Sequence, residues 1–386
     1  MKLLILTTGN SFTPSMLYKE NYLIKAALER GHKVTVFANQ FTYIKGKETK
    51  QNDTEEIRGY ELKRFPYKNL VVPILTDKFR KVEGLEDSII NERPDLLFIN
   101  CAQVYNVKNL RMIKEALPTI KIVMDFSTKY LNSAGNWLSR NVLHHIIYRS
   151  WIQKALPYVD RVFYISAESR DFAKEMYDIP LEMMEHNNLP GETIPEGKKA
   201  AYRDEIRKKL NLNEELLLLY SGKIYPEKKV DELVRAFSKV KSTKLKLLII
   251  GSYTCDDRYK NEVANLINSD DRITFMDFVT GDELTKFVSA CDLYIQPGSI
   301  SQTCQTAVCC GTPLCFNDIP THREIYNGNG FFADGEKDLL QVINEIADNP
   351  QLLNKMSTLS YKMANEELDY RIIYQKILSA VGLGNN

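Results

Sequence analysis

Two lysines five residues apart, Lys223 and Lys228, follow directly on an apolar run that ends in Gly222. A glycine at a strand end lets the backbone turn tightly, and two ammonium groups at this spacing can converge on one anionic group such as a diphosphate. The same pattern is equally that of Lys228 and Lys229 solvating the start of a helix, since surface is the default place for lysine. A second candidate runs from Gln296-Pro297-Gly298-Ser299-Ile300-Ser301 through Gln302, Thr303, Cys304, Gln305 and Thr306 to Gly311-Thr312-Pro313. There a strand ends, a Gly/Ser turn follows, and a short helix opens near Ser301 and stops at Gly311. The unpaired N–H groups of that helix start, with the hydroxyls of Ser299, Ser301 and Thr303, make an anion site. The stretch from Ala307 to Cys310 is apolar, so the helix is read as buried with its polar end toward a cleft, which favours a binding element over a surface cap.

Other chemistry-bearing residues weigh less. Cys304, Cys309, Cys310 and Cys315 cluster in sequence, but a helix followed by a strand points their thiols in different directions, and no His stands at ligand spacing. Small buried side chains are the expected role. No Asp-x-Asp occurs, so no obligatory metal is expected and the lysine pair takes its place. His144 and His145 stand in a helical stretch with Trp137, Arg140, Arg149 and Trp151. That stretch is either a membrane-facing amphipathic surface or an ordinary domain helix. His186 and His322 are further cleft candidates, and Glu324 follows the strand PLCFND.

The elements that must position these groups alternate along the chain. Short continuous apolar runs, LLILTT (3–8), KVTVFAN (33–39), DLLFINC (95–101), IKIVMDF (120–126) and RVFYIS (161–166), are separated by helical patterns. After about residue 196 the alternation restarts with LLLLYSG (216–222), LKLLIIG (245–251), RITFMDF (272–278), DLYIQP (292–297) and PLCFND (313–318). Continuous apolar strands are buried on both faces, and strand–helix alternation of this kind gives parallel sheets covered by helices. The fold class is therefore α/β, with two doubly wound parallel-sheet domains, and 187–200, NNLPGETIPEGKKA, is the linker. Facing domains of this type bind ligands where the carboxyl ends of their strands meet. The expected boundaries are 1–192 for the first domain and 193–366 for the second. The tail helix, 367–386, has no strand left to cover in its own series and is expected to pack back on the first domain.

Composition narrows the function. The 386 residues carry 51 Lys plus Arg against 50 Asp plus Glu, a net charge of +1, which speaks against a nucleic-acid binder. The apolar start, Leu3 to Leu6, is too short for a signal core, and seven Cys fit free thiols in a reducing compartment. A cytoplasmic protein is expected.

The motifs taken together resemble the GT-B glycosyltransferases of the retaining family 4 type (glycosyl transferases group 1). That family's G-(R/K)-x4-K element is matched by Gly222-Lys223 and Lys228, and its strand–Gly turn by LKLLIIG ending at Gly251. ITFMDFVTGDELTKFVSACDLYIQP, AVCCGTP and Glu324-Ile325 with Gly328 to Gly330 match its later elements, while GHKVTVFAN and DRVFYISAES match its first domain more weakly. The resemblance implies two Rossmann-like domains facing a cleft. It gives Lys223 and Lys228 the donor diphosphate and the leaving nucleotide. It assigns the distal phosphate and sugar to backbone amides near Ser301 to Thr303, the nucleobase to Phe278 and Val279, and an approach from the other domain to Gly9 and Asn10. Glu324 would meet the donor sugar, and Gly222 and Gly251 would shape the donor site.

The chain also departs from that pattern. The family's two Glu, eight apart, fall here on Gly298 and Thr306. Gln302, Thr303, Gln305 and Thr306 are the polar groups left for the sugar, and a Gln can both donate to and accept from a hydroxyl. The acceptor-side His is replaced by Asp125 of VMDFSTKY, which either orients or deprotonates the acceptor hydroxyl or is an ordinary polar strand end. The resemblance implies a nucleotide-sugar donor, UDP-linked by preference, as co-substrate, and no obligatory cofactor. The acceptor would be a glycan or lipid-linked sugar, with peripheral contact with the inner membrane, in bacterial surface polysaccharide assembly. The missing acidic pair motivates a different reading, a non-catalytic GT-B partner that binds sugar nucleotide or scaffolds another transferase.

Overall fold

The protein is described by a computed structural model covering residues 1–386 apart from 15, 45, 46, 52, 53, 58, 300, 385 and 386. Its chain forms two compact units. The first comprises Met1–Pro14, Glu20–Asn188 and Ile373–Asn386, and the second Ser15–Lys19 and Leu189–Ile372. The changeovers thus fall at Asn188/Leu189 and at Ile373, beside the 192/193 and 367 read from the sequence.

The first unit contains β1 (Lys2–Thr7), β2 (Lys33–Asn39), β3 (Phe41–Ile44), β4 (Lys47–Lys50), β5 (Glu55–Ile57), β6 (Tyr60–Phe65), β7 (Leu96–Asn100), β8 (Lys121–Phe126), β9 (Arg161–Tyr164) and β10 (Met184–His186). Eight of these form one sheet in the order β10-β9-β8-β7-β1-β2-β6-β5, while β3 and β4 pair as a separate hairpin. All ladders in the large sheet are parallel except β5–β6 at its edge. The apolar runs explain this: every residue of β7 is buried, so the strand has no solvent face and must be covered on both sides. From β1 the chain winds outward through β2 to β6 and then returns to β7 on the other side. The switch point lies between β1 and β7, the position where open α/β sheets bind ligands.

The second unit has β11 (Leu216–Ile224), β12 (Leu245–Tyr253), β13 (Ile273–Met276), β14 (Leu293–Gln296), β15 (Leu314–Phe316) and β16 (Gly330–Phe332), in the wholly parallel order β13-β12-β11-β14-β15-β16. Alternate residues of β11 feed two cores. Leu218 and Tyr220 pack with the helix Val230–Ser238 on one face, and Leu217 and Leu219 pack with the helix Gln302–Cys309 on the other. The switch point here lies between β11 and β14.

The last helix, Tyr370–Ala380, enters the first unit from Ile373 onward. There the buried Tyr374 places its hydroxyl 3.0 Å from His32 Nδ1, and Lys376 Nζ donates to the His186 carbonyl at 2.5 Å. Among the described residues no helix is long and apolar enough to cross a membrane.

Candidate functional site

In the second unit the loops that follow β11 and β14 leave the sheet side by side. Pro226–Lys228 forms one helical turn that closes on Lys229 in the left-handed region (φ 54°). This turn brings Lys228 back under the neighbouring loop. Its Nζ donates to the Ser299 carbonyl at 2.8 Å, and the side chain is only 7% exposed. Gly298 is what permits the approach: a Cβ there would lie 2.3 Å from Glu227 O and 2.6 Å from Lys228 Cα. Burial, with the nearby Lys223 charge added, lowers the Lys228 ammonium below the ordinary lysine range. Lys223 itself is exposed and still part of β11, in register with Ser252. The strand end around it is pinned by Tyr220, whose buried hydroxyl donates to Lys223 O at 2.8 Å. Gly222 (φ 151°) and Gly251 stand opposite each other, and a Cβ on Gly251 would overlap the Gly222 carbonyl at 1.9 Å.

A buried polar network supports this corner. Tyr294 donates to Ser221 O at 3.0 Å, and Gln296 Nε2 donates to Ser299 O at 2.9 Å, so that carbonyl receives both Gln296 and Lys228. Ser301 Oγ donates to Gln296 Oε1 at 3.1 Å and so does not cap the helix Gln302–Cys309 that it precedes. Two side chains expected to be free for a sugar are engaged locally. Gln302 Nε2 donates to the Pro190 carbonyl at 2.6 Å, and Thr306 Oγ1, 1% exposed, donates to Gln302 O at 3.4 Å. Thr303 and Gln305 are buried as well, and Gln305 Oε1 has no hydrogen-bond partner among the described residues. Ile300, within this loop, lies outside the described residues.

The remaining donor candidates occupy the same carboxyl edge of the sheet at other strands. Phe278, 41% exposed, and Val279, packed against the core, follow β13, two strands from β11. Glu324, half-buried, follows β15 and the single turn Pro320–Arg323. His322 is buried, with Nδ1 3.0 Å from Asn317 O and its ring stacked on Phe316. The cysteine cluster divides: Cys304, Cys309 and Cys310 enter one core and Cys315 the other, on opposite faces of the sheet. Burial pushes the Cys310 thiol up to about 11 and that of Cys315 to about 12. Among the described residues no three His, Cys, Asp or Glu side chains are placed to hold one metal ion.

The switch point of the first unit is equally tight. A Cβ on Gly9 would lie 2.7 Å from Cys101 Sγ, and Cys101 itself sits in the left-handed region (φ 65°). Asn10 is exposed, and its carbonyl accepts from Asn39 Nδ2 at 3.0 Å. Tyr67 donates to Thr8 O at 2.5 Å, and burial pushes its hydroxyl up to about 12. Asp125 is the penultimate residue of β8, 1% exposed and in register with Asn100 and Phe163.

Residues 202–363 match the family model described as Glycosyl transferases group 1. No curated protein sequence matches the chain. Three solved structures align over nearly the full length of both chains. HepE from Anabaena, in complex with UDP, is 15% identical with TM-score 0.72, covering 99% of this chain and 100% of its own. Sucrose-phosphate synthase from Thermosynechococcus elongatus is 13% identical with TM-score 0.73, covering 98% of each chain. WaaG, a glycosyltransferase involved in lipopolysaccharide biosynthesis, is 14% identical with TM-score 0.67, covering 99% of each.

The chain has the GT-B fold.

Within this GT-B chain the sequence pattern located both loops of the Lys228 corner but not the network beneath them. Tyr294, Ser221 and Gln296 bond across 73 residues of chain in one case, which leaves no local periodicity to read. A signal was present nonetheless: Gln296 is a polar residue at the end of the apolar strand DLYIQP, where an unpaired side chain would be costly to bury. In the first unit Asn39 and Tyr67 were missed for the same reason.

Proposed function

We propose that the protein transfers a glycosyl group from a nucleoside diphosphate sugar, UDP-linked by preference, to a hydroxyl of a glycan or lipid-linked acceptor. The observation that carries this reading is Lys228, a buried ammonium 2.8 Å from the Ser299 carbonyl, beside Lys223 at a topological switch point. Burying an ammonium is costly, and an anion beside it offsets that cost. A diphosphate seated there would supply such an anion.

In this reading Lys228 and Lys223 stabilise the negative charge that grows on the leaving diphosphate, which is where electrostatic catalysis is most effective. The bond between the sugar's anomeric carbon and the phosphate oxygen breaks, and the bond to the acceptor oxygen forms on the same face. The acceptor proton passes to the departing phosphate. The stereochemical outcome is retention, and no metal takes part. Phe278 and Val279 would hold the base, and backbone amides near Ser301 to Thr303 the distal phosphate and, with Glu324, the sugar. Asp125 would orient the acceptor hydroxyl. Two structural neighbours support this: HepE has been crystallised with UDP and with UDP-glucose, and WaaG is involved in lipopolysaccharide biosynthesis. A bacterial surface glycan assembled from the cytoplasm is the proposed setting.

A second reading, a non-catalytic partner that binds sugar nucleotide, rests on Gly298 and Thr306. Neither is acidic, and Thr306 spends its hydroxyl inside its own helix. A thermal-shift screen against UDP, GDP, ADP, CMP and their sugars separates these outcomes from failure of both. A nucleotide at ~100 times its Kd adds ~2.7 kcal/mol of stability. Absence of any shift overturns the donor site. A shift with UDP, followed by release of UDP from UDP-sugar in the presence of EDTA and an acceptor glycan, supports the enzyme. Binding without turnover for any acceptor supports the partner.

A further inference from the structure

A cavity of about 580 Å³ opens in the second unit between two stretches of chain, residues 193–196 and 361–372. That volume falls within the roughly 300–1,000 Å³ of small-molecule sites. The cavity is distinct from the Lys228 corner. The helix Gln302–Cys309 starts at that corner, and the cavity wall meets its far end, where Ile194 N donates to Cys309 O at 3.0 Å. The donor chemistry proposed above uses none of its lining residues.

Its shape is fixed by bonds within the protein. Gly191 N donates to Leu368 O and Tyr370 N to Gly191 O, both at 2.9 Å, so backbone pairing straps the two stretches together. Asp369, 6% exposed, ties them again. Its carboxylate accepts from Thr193 N at 3.1 Å, from Arg371 N at 2.9 Å and from Arg371 Nη1 at 3.2 Å. The wide π-helical turn Ala364–Leu368 carries the exposed Asn365, whose Nδ2 donates to Tyr361 O at 2.8 Å and leaves Oδ1 to accept. Such local π geometry is frequent where side chains serve a site.

The lining chemistry selects the ligand. Ile194, Pro195, Ile372 and Tyr361 supply apolar surface, and Glu196, Asn365 and Arg371 stand exposed among them. Arg371 is the one cation among the lining residues, and Asp369 neutralises it. Lys199, beside Tyr361, gives its ammonium to Gly311 O at 2.8 Å. A phosphate or nucleotide would therefore meet Glu196 with no cation in surplus. An ammonium ligand would find Glu196 at an exposed rim, where an ion pair is worth little. A neutral sugar fits both halves of the lining. Its hydroxyls donate and accept at once, so they can pair with a carboxylate, an amide and a guanidinium, while its C–H face covers the apolar wall.

We propose that this cavity binds a neutral pyranose unit of a glycan, with Glu196, Asn365 and Arg371 hydrogen-bonding its hydroxyls. The site does not rest on the donor chemistry proposed above.

The test is titration of the full-length protein with methyl α-D-glucopyranoside, N-acetylglucosamine and maltose, read by ligand-observed NMR with and without UDP. Binding of at least one of these sugars is expected, and UDP is expected not to change it. The double variant Glu196→Ala/Asn365→Ala removes two of the polar partners and should weaken binding about tenfold or more. Asn365→Trp, which obstructs the rim, should weaken it at least as much. Both variants should melt as the wild type does, because these side chains are exposed. Binding by none of the three sugars overturns the proposal, as does binding that both variants retain, which places the sugar elsewhere. Inorganic phosphate or spermidine bound in place of the sugars, and lost in both variants, would overturn it in favour of an ion site.

Discussion

Replacing Lys228 by Met separates the two roles that the buried lysine can have. If it is only a strut, its contribution is the hydrogen bond to Ser299 O at 2.8 Å. A hydrogen bond from a charged donor is worth ~1.5–3 kcal/mol, and burying the ammonium costs a comparable amount. Met keeps the apolar stem, and Gln296 still donates to the same carbonyl at 2.9 Å, so no acceptor is left bare. The net change in stability is therefore expected to be within ~1 kcal/mol, a shift of about 2–4 °C in melting temperature. If instead the lysine also grips a diphosphate, the variant loses a charge-assisted bond to it. That loss of ~1.5–3 kcal/mol is about a 10- to 150-fold rise in Kd. Isothermal titration of UDP into wild type and variant, with a melt of each, measures both quantities. A further signature follows from burial, which lowers the Lys228 ammonium. Its cationic form binds the anion, so raising the pH through the lowered pKa weakens UDP binding before an ordinary lysine would titrate. The Met variant should lack that step. A Kd within about threefold of wild type, in a variant that melts normally, would refute the reasoning and leave Lys228 a strut.

Three other outcomes are expected. Gly298→Ala places a Cβ 2.3 Å from Glu227 O; the resulting overpacking should cost ~1–3 kcal/mol and weaken UDP binding in the same sample, read by denaturant melts and titration. His144 is buried, with Nδ1 2.6 Å from the Tyr177 hydroxyl, and desolvation lowers it from 6.5 to about 4. The folded state thus resists its protonation, and stability present above pH 6.5 is lost as the pH falls toward about 4, by ~3 kcal/mol in all; His144→Gln should flatten that slope in urea melts. Tyr374→Ala empties a site that is 1% exposed and breaks the contact with His32, and should destabilise the first unit by ~3 kcal/mol or more, with nucleotide binding by the second unit retained.

Much of the architecture was legible because burial on both faces writes itself into the sequence as continuous apolar runs. LLILTT, DLLFINC and LKLLIIG all became central strands. The ends of strands were less legible. LLLLYSG was read as stopping at Gly222, whereas pairing with β12 carries β11 on to Ile224 and takes Lys223 into the strand. A lysine breaks an apolar pattern, but it does not break a ladder whose bonds are made by the backbone. RITFMDF was read long, and only Ile273–Met276 pairs, so Phe278 lies in the loop beyond. The helix opening near Ser301 was placed correctly, while its hydroxyls were not. Ser301 and Thr306 look free in sequence, yet Ser301 is taken up by Gln296, whose position depends on the packed sheet, and Thr306 by the Gln302 carbonyl one turn back in its own helix. The hairpin β3–β4 and the wide π-helical turns of Ser139–Tyr148 left no mark, since neither is set by hydrophobic period.

The return of the tail helix to the first unit has a consequence for synthesis. The first unit includes Ile373 and the residues after it, which are synthesised only after Leu189–Ile372, the continuous stretch that makes up most of the second unit. At ~5–20 residues per second, the N-terminal sheet must wait roughly ten to forty seconds after Asn188 emerges for the tail helix that joins its unit. During that interval His32 lacks Tyr374, and the β10 end lacks Lys376. The unit begun first thus receives its tail helix only after the main stretch of the other has been made. A chain that stops short of Ile373 can finish its second sheet but leaves His32 and the β10 end of the first without those contacts.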